Sequence, residues 1–392
     1  MWEAPSLNKL QDAVASPANP IGMRMRAAYF LRQAYDNAVR NSGDDENDEC
    51  KVHIDNNATT NIEDIVIETL GSGLKEIGHG SLLRHEFAYV MGQLRDERCC
   101  DYLEQVLSDN SDCIMVRHEC GEALGAIGAQ RSISVLEAAI KENPDSPEIG
   151  QTCEIALAHM KWKMGSSEDE EEPMACACML SPYSSIDPAP PHPKHVNLST
   201  EELGCILLDT SLPLFERYRA MFSLRNRGGS SAVIELGKAL TSDTSSTLFR
   251  HEIAYVLGQM HHSASIEYLA ESLRRQHEHQ MVRHESAEAL GAIEDKWEEC
   301  EKLLLEFSED ADIVVRESCM VALDAADYWG HGNNAQTNEN IDEEEIEIAA
   351  SKNLSFVLQK AVTNGKSEFV NSLSKKAGSK NEVIHHHFNL AT

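Results

Sequence analysis

The sequence predicts an all-α fold, an α-solenoid of repeated helix pairs, and two observations lead to that prediction. Segments of the chain recur at a fixed offset of 166 residues, so the chain is an internal duplication. Within each half, a second repeat recurs every 33 residues. A period of about 20–50 residues with helical patterns and few strand signals is typical of solenoids, in which each repeat packs only against its neighbours.

The duplication is clearest around two motifs. Residues 83–93 (LRHEFAYVMGQ) match residues 249–259 (FRHEIAYVLGQ), and residues 115–127 (MVRHECGEALGAI) match residues 281–293 (MVRHESAEALGAI). Upstream, residues 26–32 match residues 219–225 at an offset of 193, so the first half carries 193 − 166 = 27 additional residues before its first motif. An acidic run lies inside this insertion, which we interpret as a surface loop.

Each repeat unit contains two predicted helices. One example is the stretch 100–107, followed by a turn at residues 108–112 and then by a second helix. The apolar positions of that second helix are spaced by three and four residues, which is typical of a buried helix face; they are Val116, Cys120, Ala123, Leu124 and Ile127. These units resemble HEAT repeats. We expect two pseudo-symmetric halves of four pairs each, facing each other, in which the first and fourth pairs cap two central ones.

The pattern also predicts the domain organisation. We expect an N-terminal HEAT-like half over residues 1–164, with the acidic insertion near 41–64, and a C-terminal half over 198–329. An acidic, Pro-rich linker over 165–197 joins them. Residues 330–392 form a polar tail that we expect to be disordered, apart from a short helix-like segment near 354–370.

Composition and charge exclude several functional classes. The 392 residues contain 34 Lys+Arg and 65 Asp+Glu, a net charge of −31, which argues against a nucleic-acid-binding surface or a basic membrane patch. No apolar run of about 18 residues and no signal-peptide pattern is present. The 11 cysteines are odd in number and irregularly spaced, which indicates reduced thiols. We therefore expect a cytoplasmic location, and a nuclear location is also compatible with reduced thiols. We further expect a monomer.

Four His-Glu pairs occupy the same position of the repeat, each directly after an arginine. They are His85-Glu86, His118-Glu119, His251-Glu252 and His284-Glu285. A fifth pair, His277-Glu278, lies out of register and shows how easily one such pair arises by chance. Helices of neighbouring repeats lie about 8–10 Å apart, so the side chains of two pairs in one half can converge. Imidazole and carboxylate without thiolate favour a metal site with open coordination positions, such as a non-haem iron site.

The alternative is a repeat consensus in which His and Glu make hydrogen bonds between helices. Against that alternative, the pairs are missing from the first and fourth units, where the same packing would be needed. Burying up to eight polar groups is also costly unless they are paired or bound to metal. Two other metal candidates, the Cys176/Cys178 pair and His385–His387 in the tail, are weaker, because no second pair completes the first and a disordered terminus accounts for the second.

Two further positions keep the same register. Glycines lie seven residues after each His, which indicates close approach either of a neighbouring helix or of a substrate; they are Gly92, Gly125, Gly258 and Gly291. Four residues after each His lie Tyr89, Glu122, Tyr255 and Glu288. These four could contact the imidazole nitrogens, whereas for the two glutamates surface salt bridges are an equal alternative.

At these residues the sequence resembles the deoxyhypusine hydroxylases, a family of HEAT-repeat di-iron monooxygenases. The resemblance covers roughly residues 20–164 and 198–329 and rests on the four His-Glu motifs at paired 33-residue spacing. It implies hydroxylation of the deoxyhypusine side chain on the eukaryotic translation factor that carries hypusine. The implied cofactors are two Fe(II) per chain with O2 as cosubstrate, and the implied partners are that protein substrate and an electron donor that the sequence does not identify.

The resemblance also implies roles for individual residues. One iron would take His85, His118 and Glu119, and the other would take His251, His284 and Glu285. Glu86 and Glu252 would then be the catalytic, substrate-binding carboxylates that hold the cationic amines. The symmetry of the sequence does not by itself distinguish Glu86 from Glu119, so this division comes from the family. Two other functions remain open at this point: a zinc-dependent HEAT-type hydrolase, and a HEAT-repeat scaffold that binds a basic protein.

Overall fold

A computed structural model describes residues 6–41, 61–165 and 181–328, and within these ranges every regular element is a helix. The N-terminal half contains α1 (Leu7–Ala15), α2 (Ile21–Asn41), α3 (Ile62–Lys75), α4 (Ser81–Leu94), α5 (Cys100–Leu107), α6 (Ile114–Ile127), α7 (Ile133–Glu142) and α8 (Pro147–Lys163). The C-terminal half contains α9 (Thr200–Leu208), α10 (Leu214–Arg227), α11 (Gly229–Ser242), α12 (Thr247–Met260), α13 (Ile266–Arg274), α14 (Gln280–Gly291), α15 (Trp297–Phe307) and α16 (Ile313–Tyr328).

The sixteen helices form two layers. Even-numbered helices pack against one another along the chain and form what we call the inner layer, whereas odd-numbered helices pack on their outer side. The two halves then close on each other at both ends, because α8 contacts α10 and α12, and α16 contacts α2 and α4. The predicted α-solenoid of two facing halves with four helix pairs each is therefore confirmed.

Part of the predicted linker bridges the two halves. The backbone N–H of Ile186 donates to Gln93 Oε1 at 3.1 Å in the N-terminal half. On the other side, Gln259 Nε2 donates to Ser185 Oγ at 2.8 Å, and Arg225 donates to Asp187 Oδ1 at 2.7 Å. The segment 181–197 is thus fixed against both halves by hydrogen bonds.

Several predicted features lie outside the described residues. These are most of the acidic insertion, the first part of the linker with Cys176 and Cys178, and the tail with His385–His387. The domain boundaries stay a prediction. In the part of the chain that the structure describes, the eight cysteines are free, and no helix combines the length and apolar character needed to cross a bilayer.

Buried arginines at one repeat position connect each inner helix to its surroundings. The Nε of Arg84 donates to Leu74 O at 2.6 Å, and its terminal nitrogens contact the carboxylate of Asp112. Arg283 repeats this arrangement with Leu273 O at 2.9 Å and Asp310. The same Nε–carbonyl bond recurs at Arg117 and Arg217. Three of the four arginines that precede a His-Glu pair, Arg84, Arg117 and Arg283, thus belong to the framework, where their charges are buried together with hydrogen-bond partners. The fourth, Arg250, is partly exposed and pairs with Glu278 instead.

The repeated glycines mark where neighbouring inner helices touch. A Cβ added to Gly92 would lie 2.8 Å from the Cα of Ala123, and one added to Gly125 would lie 2.7 Å from the Cβ of Ala156. A Cβ on Gly258 would lie 3.2 Å from the Cα of Ala289. Of the two explanations left open by the sequence, these three contacts favour helix packing. Each glycine allows the next repeat to approach more closely than a larger residue would permit.

Replacing Gly125 by Ala should destabilise the protein. The clash with Ala156 is an overpacking defect worth about 1–3 kcal/mol, and it outweighs the gain of about 1 kcal/mol in helix propensity. The matched control is Gly150→Ala on α8, because no atom lies within 4 Å of the Cβ that this change adds. Urea denaturation of metal-free protein should show a lower free energy of unfolding for Gly125→Ala and no such decrease for Gly150→Ala. Equal stability of both variants would contradict this account of the helix packing.

Candidate metal centre

The four histidines of the His-Glu pairs meet at the centre of the molecule. They lie on the inner helices α4, α6, α12 and α14, the second and third repeats of each half. The ring centroids of His85 and His118 are 5.4 Å apart, and those of His251 and His284 are also 5.4 Å apart. Across the halves, His118 lies 5.1 Å from His251, and His85 lies 5.3 Å from His284. The two halves therefore contribute to one compact cluster.

All four imidazoles are buried, and their nitrogens have no hydrogen-bond partners. His118 and His284 are 0% exposed, and His85 and His251 are 4% exposed. None of the eight ring nitrogens makes a hydrogen bond of acceptable geometry. A buried polar group without a partner costs about 1–3 kcal/mol, so hydrogen bonding between helices does not explain why these residues are there. Nitrogens that face one another without partners are suited to metal coordination.

Carboxylates complete the candidate ligand set. Glu119 Oε2 lies 3.1 Å from His85 Nε2 and 3.9 Å from His118 Nε2. One ligand atom from each of these three residues can be chosen so that all lie within 4.8 Å of one another. In the C-terminal half, Glu285 Oε2 lies 3.5 Å from His251 Nε2. The structure therefore brings each predicted carboxylate ligand next to an imidazole of its own half.

Two other groups of donors fit the same distance limit. One consists of His284, Glu285 and Glu288, and the other joins His85 with His251 and His284 across the two halves. Among the described residues, the set implied for the second ion, His251, His284 and Glu285, does not meet this limit as a group, although each of its members belongs to one of these two other groups. The assignment of individual ligands stays a prediction, because several combinations of these side chains satisfy the geometry.

The residues four positions after each His line the centre as well. Glu288 Oε1 lies 3.6 Å from His284 Nδ1 and accepts a hydrogen bond from Ser318 Oγ at 2.9 Å, so it does not form a surface salt bridge. The hydroxyls of Tyr89 and Tyr255 are 3.0 Å apart and connect the two halves. Support of a metal-ligating imidazole by a carboxylate orients the ring, and Glu288 is placed for that role.

Burial determines the protonation of the four imidazoles. Burial and the neighbouring imidazoles lower the pKa of His118 and His284, and the same causes lower the pKa of His251 to about 3. For His85, burial also lowers the pKa, but the nearby carboxylate of Glu119 outweighs it, so the pKa is raised. Three of the four rings are thus held neutral, which is the form that coordinates a metal.

Burial shifts the pKa values of the carboxyl groups in the opposite direction. Burial raises the pKa of Glu285 to about 8, and neighbouring carboxylates add to that effect. Burial, again together with neighbouring carboxylates, raises the pKa values of Glu122, Glu252 and Glu288. So many acids in one place repel one another unless they take up protons or a cation. A divalent ion would favour their anionic forms, and its binding would release protons.

A cavity of about 50 Å³ lies beside the imidazoles. It is lined by Tyr29, His85, Glu86, Tyr89, Glu119, Glu122, His251, Glu252, Tyr255, Gly258, Glu285, Glu288 and Ala289. Both carboxylates that the family resemblance assigns to substrate binding, Glu86 and Glu252, therefore face the same space as the candidate metal ligands. The lining carries six glutamates and no Lys or Arg, so the cavity is suited to a cationic ligand.

One residue of this cavity was not identified from the sequence. Tyr29, on α2 in the first repeat, donates a hydrogen bond of 2.5 Å from its hydroxyl to Glu86 Oε2. The first repeat has no His-Glu pair, so no motif in the sequence places this residue at the centre. The only signal was the match of residues 26–32 to residues 219–225, in which Tyr29 aligns with Phe222.

Comparisons with known proteins agree with this description. The family described as HEAT repeats matches residues 68–158 and 233–324. The deoxyhypusine hydroxylase of Xenopus laevis is 42% identical over 332 residues, which covers 85% of this chain and 94% of the relative. The deoxyhypusine hydroxylase of Danio rerio is 46% identical over 252 residues, covering 64% of this chain and 78% of the relative.

A solved structure shows the same fold. The structure of human deoxyhypusine hydroxylase in complex with glycerol has a TM-score of 0.66 and 37% sequence identity to this chain. The match covers 81% of this chain and 94% of the human one. The Xenopus relative and the human structure are each matched over 94% of their own length. The chain therefore belongs to the deoxyhypusine hydroxylase family.

Proposed function

We propose that this protein hydroxylates the deoxyhypusine side chain of the eukaryotic translation factor that carries hypusine, with O2 as oxidant. The relatives named above support the reaction and the protein substrate. The observation that carries the proposal is the central cluster of four buried imidazoles, whose eight nitrogens lack hydrogen-bond partners. A scaffold protein would have no use for a cluster that costs stability in this way.

The proposed cofactor is a pair of ferrous ions. The first would be held by His85, His118 and Glu119, whose ligand atoms already lie within 4.8 Å of one another. The second would be held by a similar set in the other half, His251, His284 and Glu285. Two His and one carboxylate form a ligand set that leaves positions open at non-haem iron. When bound, two ferrous ions would supply two electrons for the reduction of O2, and a separate electron donor would restore them.

The protein's own contribution is to position the substrate. Glu86 and Glu252 face the cavity, where their carboxylates would pair with the cationic amines of the aminobutyl chain. Holding both amines would keep one carbon of that chain next to the metal centre, and positioning of this kind can account for a large part of a rate enhancement. The deep burial of both carboxylates strengthens these ion pairs, because little water competes for them.

Metal content tests the cofactor. Protein purified without affinity metal should contain about two irons per chain, and His118→Ala should lose much of that iron because it removes a buried ligand. His277→Ala is the matched control, since His277 is exposed in the turn before α14. Elemental analysis of both variants decides the question. Stoichiometric zinc would indicate a hydrolase instead, and the absence of stoichiometric metal would indicate a scaffold.

Substitution of the two cavity carboxylates tests the division of roles. Glu86→Gln and Glu252→Gln should retain iron but lower kcat/KM at least about thirtyfold, because each leaves a buried cationic amine without its partner. Steady-state kinetics with parallel iron analysis measures both effects. If the iron is lost in both variants instead, Glu86 and Glu252 are metal ligands and the assignment must be reversed.

The reaction itself can be tested by mass spectrometry. The iron-loaded protein, supplied with O2 and a reductant, should add one oxygen atom to the translation factor in its deoxyhypusine form. The same factor with an unmodified lysine should remain unchanged, because it lacks the aminobutyl group. An unchanged mass of the deoxyhypusine form would contradict the proposed function.

A further inference from the structure

The two halves of the centre differ in whether a tyrosine hydroxyl binds the substrate-binding carboxylate. In the N-terminal half, the Tyr29 hydroxyl donates to Glu86 Oε2 at 2.5 Å, and both residues are buried. The equivalent of Tyr29 in the C-terminal half is Phe222 on α10, which has no hydroxyl. Both halves carry two His-Glu pairs at matching positions, so the tyrosine is a difference within an otherwise duplicated centre.

The two carboxylates consequently have different hydrogen-bonding capacity. In Glu86, Oε2 accepts from Tyr29, and Oε1 lies 3.7 Å from His85 Nδ1. No described residue donates a hydrogen bond to Glu252. An ionised carboxylate offers about four lone-pair sites, so Glu86 has fewer left for a ligand, whereas Glu252 keeps all of its own. Glu86 is also held in one orientation by its bond to Tyr29.

The deoxyhypusine side chain has two different cationic ends. The secondary ammonium, which joins the lysine carbons to the aminobutyl group, has two N–H donors and lies nearer to the substrate backbone. The terminal primary ammonium has three N–H donors and forms the free end. Within the proposed function, we propose that Tyr29 is a positioning residue that fixes Glu86 as the acceptor for the secondary ammonium, while Glu252 accepts the terminal ammonium.

This arrangement gives the substrate one direction of binding. In a centre with two equivalent carboxylates, the aminobutyl chain could place its terminal ammonium against either one, and different carbons would then lie next to the metal centre. The Tyr29–Glu86 hydrogen bond removes that equivalence, because it leaves Glu86 fewer acceptor sites for a group with three donors. Tyr29 thus acts on the substrate through Glu86.

Two peptides that differ only at the terminal ammonium test the direction. One carries deoxyhypusine, and the other carries N-butyl-lysine, which keeps the secondary ammonium and lacks the terminal one. Affinities are measured by anaerobic calorimetry with the iron-loaded protein. Tyr29→Phe should lower the affinity for both peptides by the same factor, about tenfold. Glu252→Gln should weaken only the deoxyhypusine peptide, which tests the direction independently of Tyr29.

The matched control is Tyr35→Phe. Tyr35 lies on the same helix and makes the same kind of bond, from its hydroxyl to Asp96 Oδ2 at 2.6 Å, but it does not line the cavity. This variant should bind both peptides as the unaltered protein does. If Tyr29→Phe behaves like Tyr35→Phe, or loses iron, Tyr29 has a structural role and the proposal is overturned.

Two other results would also overturn the proposal, and they differ from a failure of the proposed function. If Tyr29→Phe lowers the affinity for the deoxyhypusine peptide only, Glu86 accepts the terminal ammonium and the side chain binds in the reverse direction. If Glu252→Gln weakens both peptides equally, the direction is also wrong. If the unaltered iron-loaded protein binds neither peptide, the proposed function itself fails, and this inference fails with it.

Discussion

The close approach of neighbouring inner helices is the constraint on which the rest of the structure depends. Gly92 meets Ala123 and Gly258 meets Ala289 with no room for a further carbon atom. Each of these contacts lies two helical turns from a His-Glu pair, on the same face of its helix. The contact therefore fixes how far apart the imidazoles of adjacent repeats can lie. If larger side chains separated these helices, the rings would not share one ion.

Closure of the solenoid then makes one centre from two half-sites. The halves meet where α8 contacts α10 and where α16 contacts α2, and the Tyr89–Tyr255 hydrogen bond joins them at the centre. One candidate donor group, His85 with His251 and His284, already spans both halves. Metal binding at this position would hold the halves together as well as equip them for chemistry. The buried Arg84–Asp112 and Arg283–Asp310 contacts, one in each half, stabilise the framework independently of the metal.

The sequence was sufficient to predict the repeats, their register and the convergence of side chains within a half, because all of these follow from periodicity along the chain. The curvature of the solenoid has no such signal, since it depends on small rotations summed over eight helix pairs. The sequence therefore predicted that the two halves face each other but not how closely their imidazoles approach, and the rings of His118 and His251 lie only 5.1 Å apart. Tyr29 and the segment 181–197 were missed for a related reason. Both reach the centre through tertiary contacts from positions that lack the repeat motif.

The residues that the two halves share, and the position at which they differ, both fit the proposed reaction. The His-Glu pairs are the same in both halves, as expected for two ions that act on O2, a molecule whose two ends are identical. The aminobutyl side chain has unlike ends, so a centre with full two-fold symmetry could not distinguish its two orientations. Divergence should then appear at the residues that touch the substrate carboxylates and not at the metal ligands. The exchange of Tyr29 for Phe222 between the two halves lies at such a position, next to Glu86 and far along the sequence from any ligand.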